Sequence, residues 1–320
     1  VHVSLTNWTS SNDRFVGNSA RYGGAVYSSN SDVVFSDVVA VDNAVSASSG
    51  YGGGGFLYGQ MGSDVSIFDG AFINNSVNVS SGGGGALWLQ DSNLATDGII
   101  ATGNHCYGSN CVGGFFKGSN GTFELLHVNA QLNTADSYGG VAHITGGNTV
   151  ISNSILANNW SSIGAPVLFV GGAQPSVEME YVTIAGNTVG ILGGSAILLS
   201  ANTIGTINDS ILVMNDRLEL HQIGSLPMMT YTNIYDLPMQ QWLYFGYVTH
   251  FLAGTGNINS EPLFVGDGVA MDPRQAVDPL VFDYHLQSSS PLVDAGNPSV
   301  IDVDGTVSDI GAYGGPLGVW

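Results

Sequence analysis

Basic side chains are nearly missing from this chain. Five of them (Arg14, Arg21, Lys117, Arg217 and Arg274) stand against 25 acidic ones in 320 residues, for a net charge of −20. Such a surface repels phosphate backbones and anionic lipid, which argues against nucleic-acid and membrane-surface partners. Charged residues of both signs make up only 9 %, yet 44 % of the chain is apolar and regularly spaced, so it is not an acidic disordered tail. No apolar run approaches the ~18 residues of a membrane-spanning helix. A helical 3.6-residue spacing is also lacking over any useful length. Cysteine is scarce: Cys106 and Cys111 are the only two, in the loop HCYGSNC. A zinc site needs further soft ligands, so a local disulfide is the better reading, and it favours an oxidising compartment. The chain opens at Val1 with no Met and no signal-like region, which reads as a mature or trimmed segment of an extracellular or cell-surface protein.

What is present is a repeat of about 28 residues over the first two thirds. Each copy closes on an apolar-x-x-Asn stop: FVGN (Phe15 to Asn18), FINN (Phe72 to Asn75), ATGN (Ala101 to Asn104), IAGN (Ile184 to Asn187). Each opens on Gly-Gly: GGAV from Gly23, GGFL from Gly54, GGAL from Gly84, GGFF from Gly113, GGVA from Gly139, GGSA from Gly193. Between the marks lie short runs with period-2 alternation and many β-branched residues, such as Val33 to Val41 and Val65 to Ile73. Strands without intervening helices exclude βαβ units and predict an all-β parallel β-helix of about eight to ten coils, stacked ~4.8 Å apart.

The asparagines 18, 43, 75, 104, 133, 187 and 215, with Asn158 or Asn159, end the second run of each coil. They are expected to take the left-handed backbone of a sharp bend and to hydrogen-bond along the axis as a ladder. Gly-Gly marks a second bend, where no Cβ fits. The GGGG runs (Gly52 to Gly55, Gly82 to Gly85) precede no helix and no P-loop Lys, so they cradle no phosphate.

The paired GGA[I/L/V] and FxxN motifs resemble the repeats of chlamydial polymorphic outer-membrane proteins and related bacterial right-handed β-helices of the pectin-lyase-like superfamily. The tail, with EPLFVGDG (Glu261 to Gly268), DYHLQSSSPLVDAGNP (Asp283 to Pro298) and DVDGTVSDIGAYGGP (Asp302 to Pro316), is similar to that of many secreted bacterial β-helix repeat proteins. The resemblance implies right-handed coiling and a surface or secreted setting. It implies no single activity, because its relatives include lyases, adhesins and structural proteins.

Lyases of that superfamily use an Arg or Lys base beside a calcium-binding Asp cluster. Here no two of the five Arg and Lys residues occupy equivalent positions of adjacent coils. The NTD, GHG and RIK motifs of the hydrolases are absent, the seven histidines are scattered singly, and no GxSxG elbow occurs. Thr-x-Thr ranks of an ice-binding face are lacking too. An enzyme is therefore disfavoured.

Calcium has a better candidate in Asp302, Asp304 and Asp309 around a DxDG turn, since hard oxygens at alternate positions suit that ion. Asp-Gly turn chemistry explains the same letters.

The chain divides into coils at 1–215, a further coil with an aromatic insertion at 216–258, and a closing segment at 259–320 that forms a cap or final partial coil. In the insertion Met239, Trp242, Tyr244, Phe245, Tyr247 and Phe251 form either a local mini-core or a protein contact patch. At the other end Val1, His2, Val3 and Leu5 start a strand with no cap before it. A bare strand edge templates pairing, so this end is a candidate for head-to-tail self-association into a filament, or else reflects trimming. Taken together, the sequence points to a non-enzymatic extracellular structural or adhesive protein that contacts itself, other surface proteins or glycans. A polysaccharide-binding or -degrading β-helix is the alternative.

Overall fold

The computed structural model describes residues 1–46, 50–190, 194–200, 202–213, 215, 218–222, 227–235, 254–266 and 283–319. Among them there is no helix, and the chain winds as a parallel β-solenoid of about 7 turns. Four ranks of strands define its sides. The first comprises His2–Ser4, Val26–Ser29, Leu57–Gln60, Leu87–Gln90, 116–119, 142–145, Leu168–Gly171, Ser195–Leu199 and Leu218–Gln222, each parallel to the next. The second begins at Trp8–Ser11 and Asp32–Ser36, and the third at Arg14–Val16 and Val39–Val41. From the third to the seventh coil these sides merge into continuous bent strands such as Asp64–Ile73 and Asn93–Thr102. A fourth, short side runs in seven strands from Ser19–Ala20 to Thr188–Val189. Seven turns thus carry all four sides, while the first rank has nine strands because partial coils extend it.

Register places one alternating set of side chains inside. Val26, Leu57, Leu87, Phe116, Ala142, Leu168 and Ile197 are successive partners and all are buried. Across the interior the rings of Phe35, Phe56, Phe72 and Phe115 follow one another at centroid separations of 5.4, 5.5 and 5.8 Å. Each such burial contributes roughly 1.5–3 kcal/mol.

At the corner between the third and fourth sides the eight asparagines 18, 43, 75, 104, 133, 159, 187 and 215 stack. The Nδ2 of each donates to the Oδ1 of the next at 2.8–3.1 Å. The same Oδ1 accepts the backbone N–H of the asparagine before it. The second Nδ2 proton goes back to a carbonyl of the preceding coil, as from Asn75 to Ala40 and from Asn104 to Phe72. Buried amides need this complete pairing.

The ladder corrects one expectation. The left-handed residue is not the ladder asparagine but the one before it: Gly17, Asp42, Asn74, Gly103, Leu132, Asn158 and Gly186 all have φ between 53° and 64°. The bend is made first, and the following asparagine then joins the ladder without a positive φ. The same register assigns the ladder position to Asn159. Asn158 makes the bend, and its Nδ2 donates to Tyr284 Oη at 2.9 Å.

Gly-Gly behaves as the sequence suggests. Its first glycine is left-handed, with φ of 55° at Gly23 and 69° at Gly54. Its second faces the carbonyl of the coil above: a Cβ on Gly55 would lie 2.0 Å from Gly85 O. In the seventh coil Ala165, with φ of 51°, and Pro166 stand in place of the pair.

Residues 254–258 add part of another coil, bridged at Asn233 to Ile258. Residues 283–319 run as a strap over the outside of the third side, from the eighth coil back to the fifth. Gly311 N–H donates to Asp209 O, Ala312 N–H to Thr183 Oγ1, and Asn153 Nδ2 to Ala312 O and Gly314 O. Ile155, Ala157, Ala185, Ile211 and Val213 of the solenoid and Tyr284, Leu292, Ile310 and Ala312 of the strap form a second buried cluster. The closing segment is thus a partial coil followed by a lateral strap.

Candidate functional site

Outside the first side runs a column of large side chains, one per coil at a single register position: His2, Tyr27, Tyr58, Trp88, Lys117, His143 and Phe169. Alternation turns these outward while their neighbours enter the core. The chain doubles back beside them in the short strands Tyr51–Gly53, Ser81–Gly83 and Asn110–Val112. Glycines there let the column close up: a Cβ on Gly53 would strike Trp88, and one on Gly83 would strike Lys117. Tyr27 and Tyr58 lie 5.6 Å apart, Tyr58 and Trp88 4.9 Å, and His143 stacks on Phe169 at 4.5 Å and 5°. Amides edge the column: Tyr58 Oη donates to Gln60 Oε1 at 3.0 Å, and Gln60 Nε2 donates to Tyr27 Oη at 2.5 Å.

Lys117, the only lysine of the chain, sits in this column with Nζ 4.2 Å from the Trp88 ring centroid. Its ammonium donates to Gly82 O at 3.3 Å. Burial lowers the Lys117 ammonium to about 8. Burial first, and then the Lys117 charge, push the neighbouring His143 down to about 3, so that imidazole is neutral at pH 7. The pair joins a titratable amine to a neutral imidazole on an aromatic bed. Such a set can hold an anionic or hydroxyl-rich group or exchange a proton with it.

A count of Arg and Lys alone overlooks this pair, because one member is a histidine. Its sequence signal is the fifth letter after each Gly-Gly start: GGAVY, GGFLY, GGALW, GGFFK, GGVAH.

The strap makes a second feature, a cavity of about 350 Å³ lined by Thr183, Ile211, Tyr284, His285, Asp309 and Tyr313 among others. His285 stacks on Tyr313 at 3.6 Å, and its Nδ1 lies 2.6 Å from Asp283 Oδ1. Burial would raise the Asp283 carboxyl, but the backbone N–H and ring of His285 hold it below its ordinary value. Under the strap, burial raises Asp209 to about 6 against the opposing pull of the Asn297 N–H, which donates to its Oδ1 at 2.7 Å.

The proposed calcium carboxylates are occupied with backbone. Asp302 accepts the N–H groups of Asp309, at 2.8 Å, and of Gly315. Asp309 accepts from Asp294 N–H at 2.8 Å, and Asp304 from the Thr306 N–H and hydroxyl. Burial lifts Asp302 to about 6 and raises Asp309, whereas the Thr306 donors lower Asp304. Among the described residues no three His, Cys, Asp or Glu side chains gather closely enough to hold a metal ion. The turn bonds expected of the DxDG letters are thus present.

Cys106 and Cys111 are joined in a disulfide, both sulfurs buried against Val45, Val77 and Val79. Of the edge candidates, Val3 is buried, Val1 and Leu5 are exposed, and His2 packs edge-on against Tyr27 at 4.8 Å. Met239, Trp242, Tyr244, Phe245, Tyr247 and Phe251 lie outside the described residues.

Comparison with known proteins gives no match among family models, curated proteins or solved structures.

Proposed function

We propose that this chain is a non-enzymatic, extracellular structural or adhesive β-solenoid, a rigid rod that presents its sides to other surface molecules. The observation that carries the reading is the asparagine ladder. Seven amide-to-amide bonds link eight asparagines on successive coils and tie those coils into one body. The buried disulfide supports the extracytoplasmic setting.

The Lys117–Trp88–His143 group favours a second reading, a glycan-binding or glycan-degrading side. One assay separates the two. Purified protein is incubated with acidic and neutral polysaccharides while reducing ends and unsaturated products are followed. The adhesive reading predicts no turnover. Turnover that disappears in Lys117→Ala would overturn it in favour of the enzyme.

A further inference from the structure

The third side of the solenoid is apolar on its outer surface twice, and only one of the two stretches is covered. In coils six to eight the outward pairs Ile155 and Ala157, Thr183 and Ala185, and Ile211 and Val213 lie beneath the strap. In coil five the same two positions are Asn129 and Gln131, bonded to each other at 2.7 Å, and there the strap ends with Leu317 O 2.9 Å from His127 Nε2. Beyond this polar step the register continues in coils four to one with Ile100 and Thr102, Ala71 and Ile73, Val39 and Val41, and at the far end Arg14 and Val16. Among the apolar members Val16 is 53 % and Ile100 45 % exposed, while Ala71, Ile73, Val39 and Val41 are half-buried; Arg14 is exposed.

The rims of the two stretches also correspond. At the bend before the third side the covered half carries Asn153, Tyr181 and Asp209, all with positive φ, and Asn153 and Asp209 bond the strap backbone. The bare half carries Asp37 and Asp69 at that position, likewise with positive φ, and Asp42 on the opposite rim. None of these three carboxylates has a hydrogen-bond partner among the described residues. The strap already uses an apolar floor with polar side chains on its rim, Asn153 donating and Asp209 accepting, and the bare stretch repeats the floor with carboxylates on its rim.

We infer that the third side of coils one to four docks a polypeptide segment of a partner protein, one in which β-branched apolar residues alternate with Lys or Arg. Two observations choose this occupant. The covered half shows that this surface accepts a polypeptide segment, with the Asp209 and Thr183 side chains taking two of its N–H groups. The acidic rim on a chain of net charge −20 repels a second copy and attracts a basic segment. The inference gives the adhesive role proposed above a surface and rests on that role only for its biological sense. Polysaccharide turnover would overturn the role and leave the peptide result untouched.

The test uses the full chain and two fluorescent decapeptides, alternating Val-Lys and alternating Ser-Lys, read by anisotropy. Equal charge makes Ser-Lys the control for diffuse attraction to an acidic protein. The expected result is about tenfold tighter binding of Val-Lys, with that preference reduced in Val16→Ser and in Ile100→Ser. Both residues are exposed, so neither change threatens the fold. Equal binding of the two peptides overturns the inference, as does a preference that neither variant alters. Sedimentation that shows a dimer returned to monomer by Ile100→Lys also overturns it, by giving the stripe to a second copy.

Discussion

The covered and bare halves of the third side are built on the same backbone plan. Both have strands in the same parallel register, the same asparagine ladder at the following corner, and the same left-handed residue at the preceding bend. They differ only in what points outward. Ile155, Ile211 and Val213 face Leu292 and Ile310 of the strap, whereas Val39, Ile73 and Ile100 face solvent between aspartates. The repeat therefore settles the body of the molecule and leaves its surfaces free to diverge. Recognition belongs to the divergent part.

The halves share the ladder, so Asn104→Ala in the bare half and Asn187→Ala in the covered half should be the most damaging changes. The first removes the acceptor of the Asn75 N–H and of one Asn75 Nδ2 proton, and the side-chain donor to the Phe72 carbonyl, in the interior. The expected loss is roughly 3–5 kcal/mol at each site, read by denaturant unfolding. A cost near zero at either site would break the equivalence of the halves. Next comes Ile310→Ala, which removes buried volume from the strap cluster alone. It should cost roughly 2–4 kcal/mol of strap attachment and speed amide exchange across 283–319, with ladder amides unchanged.

Charge distinguishes the sides further. Asp209 has its folded value raised from 3.8 to about 6, so between those pH values the folded chain keeps a proton that the unfolded chain has released. Its contribution to stability therefore falls as pH rises from about 4 to 6 and is flat above. Asp209→Asn keeps an acceptor for the Asn297 N–H and should flatten that slope in melting temperature against pH. Lys117 moves the other way in pH. Its folded value falls from 10.5 to about 8, so the unfolded chain binds more protons between them, and stability rises with pH across that window. Lys117→Met should abolish the rise. The smallest effect is expected at Met61, exposed and left-handed with φ of 57° in a rank that also holds Leu5, Asn30, Asp91, Asn120 and Gly146. Met61→Asn should add about 0.5–1 kcal/mol by relieving that backbone.

Much of the body was legible in the letters. Alternation in Val33 to Val41 or Val65 to Ile73 gave the strands, the FxxN asparagines gave the ladder, and Gly-Gly gave the close corner. The bend residue was misplaced by one because Gly, Asp, Asn and Leu all serve at the position before the ladder, which leaves no single letter to mark it. The outer column was overlooked for a similar reason. Tyr27, Trp88, Lys117 and His143 share a register but not a chemistry. The path of the tail was not legible at all. Its glycines do have a structural reason: Gly311 lies against Ile211, and Gly314 and Gly315 lie against the Tyr181 ring. Those partners are a hundred or more residues away, and nothing near them in sequence announces the contact.

Amide hydrogen exchange resolved by residue tests the account most directly. If one ladder ties both halves into a single body, the backbone N–H groups of Asn43, Asn75, Asn104, Asn133, Asn159 and Asn187 should share the slowest exchange, with strap amides such as Ala312 exchanging faster. Ladder amides of the bare half that exchange as fast as the strap would contradict it.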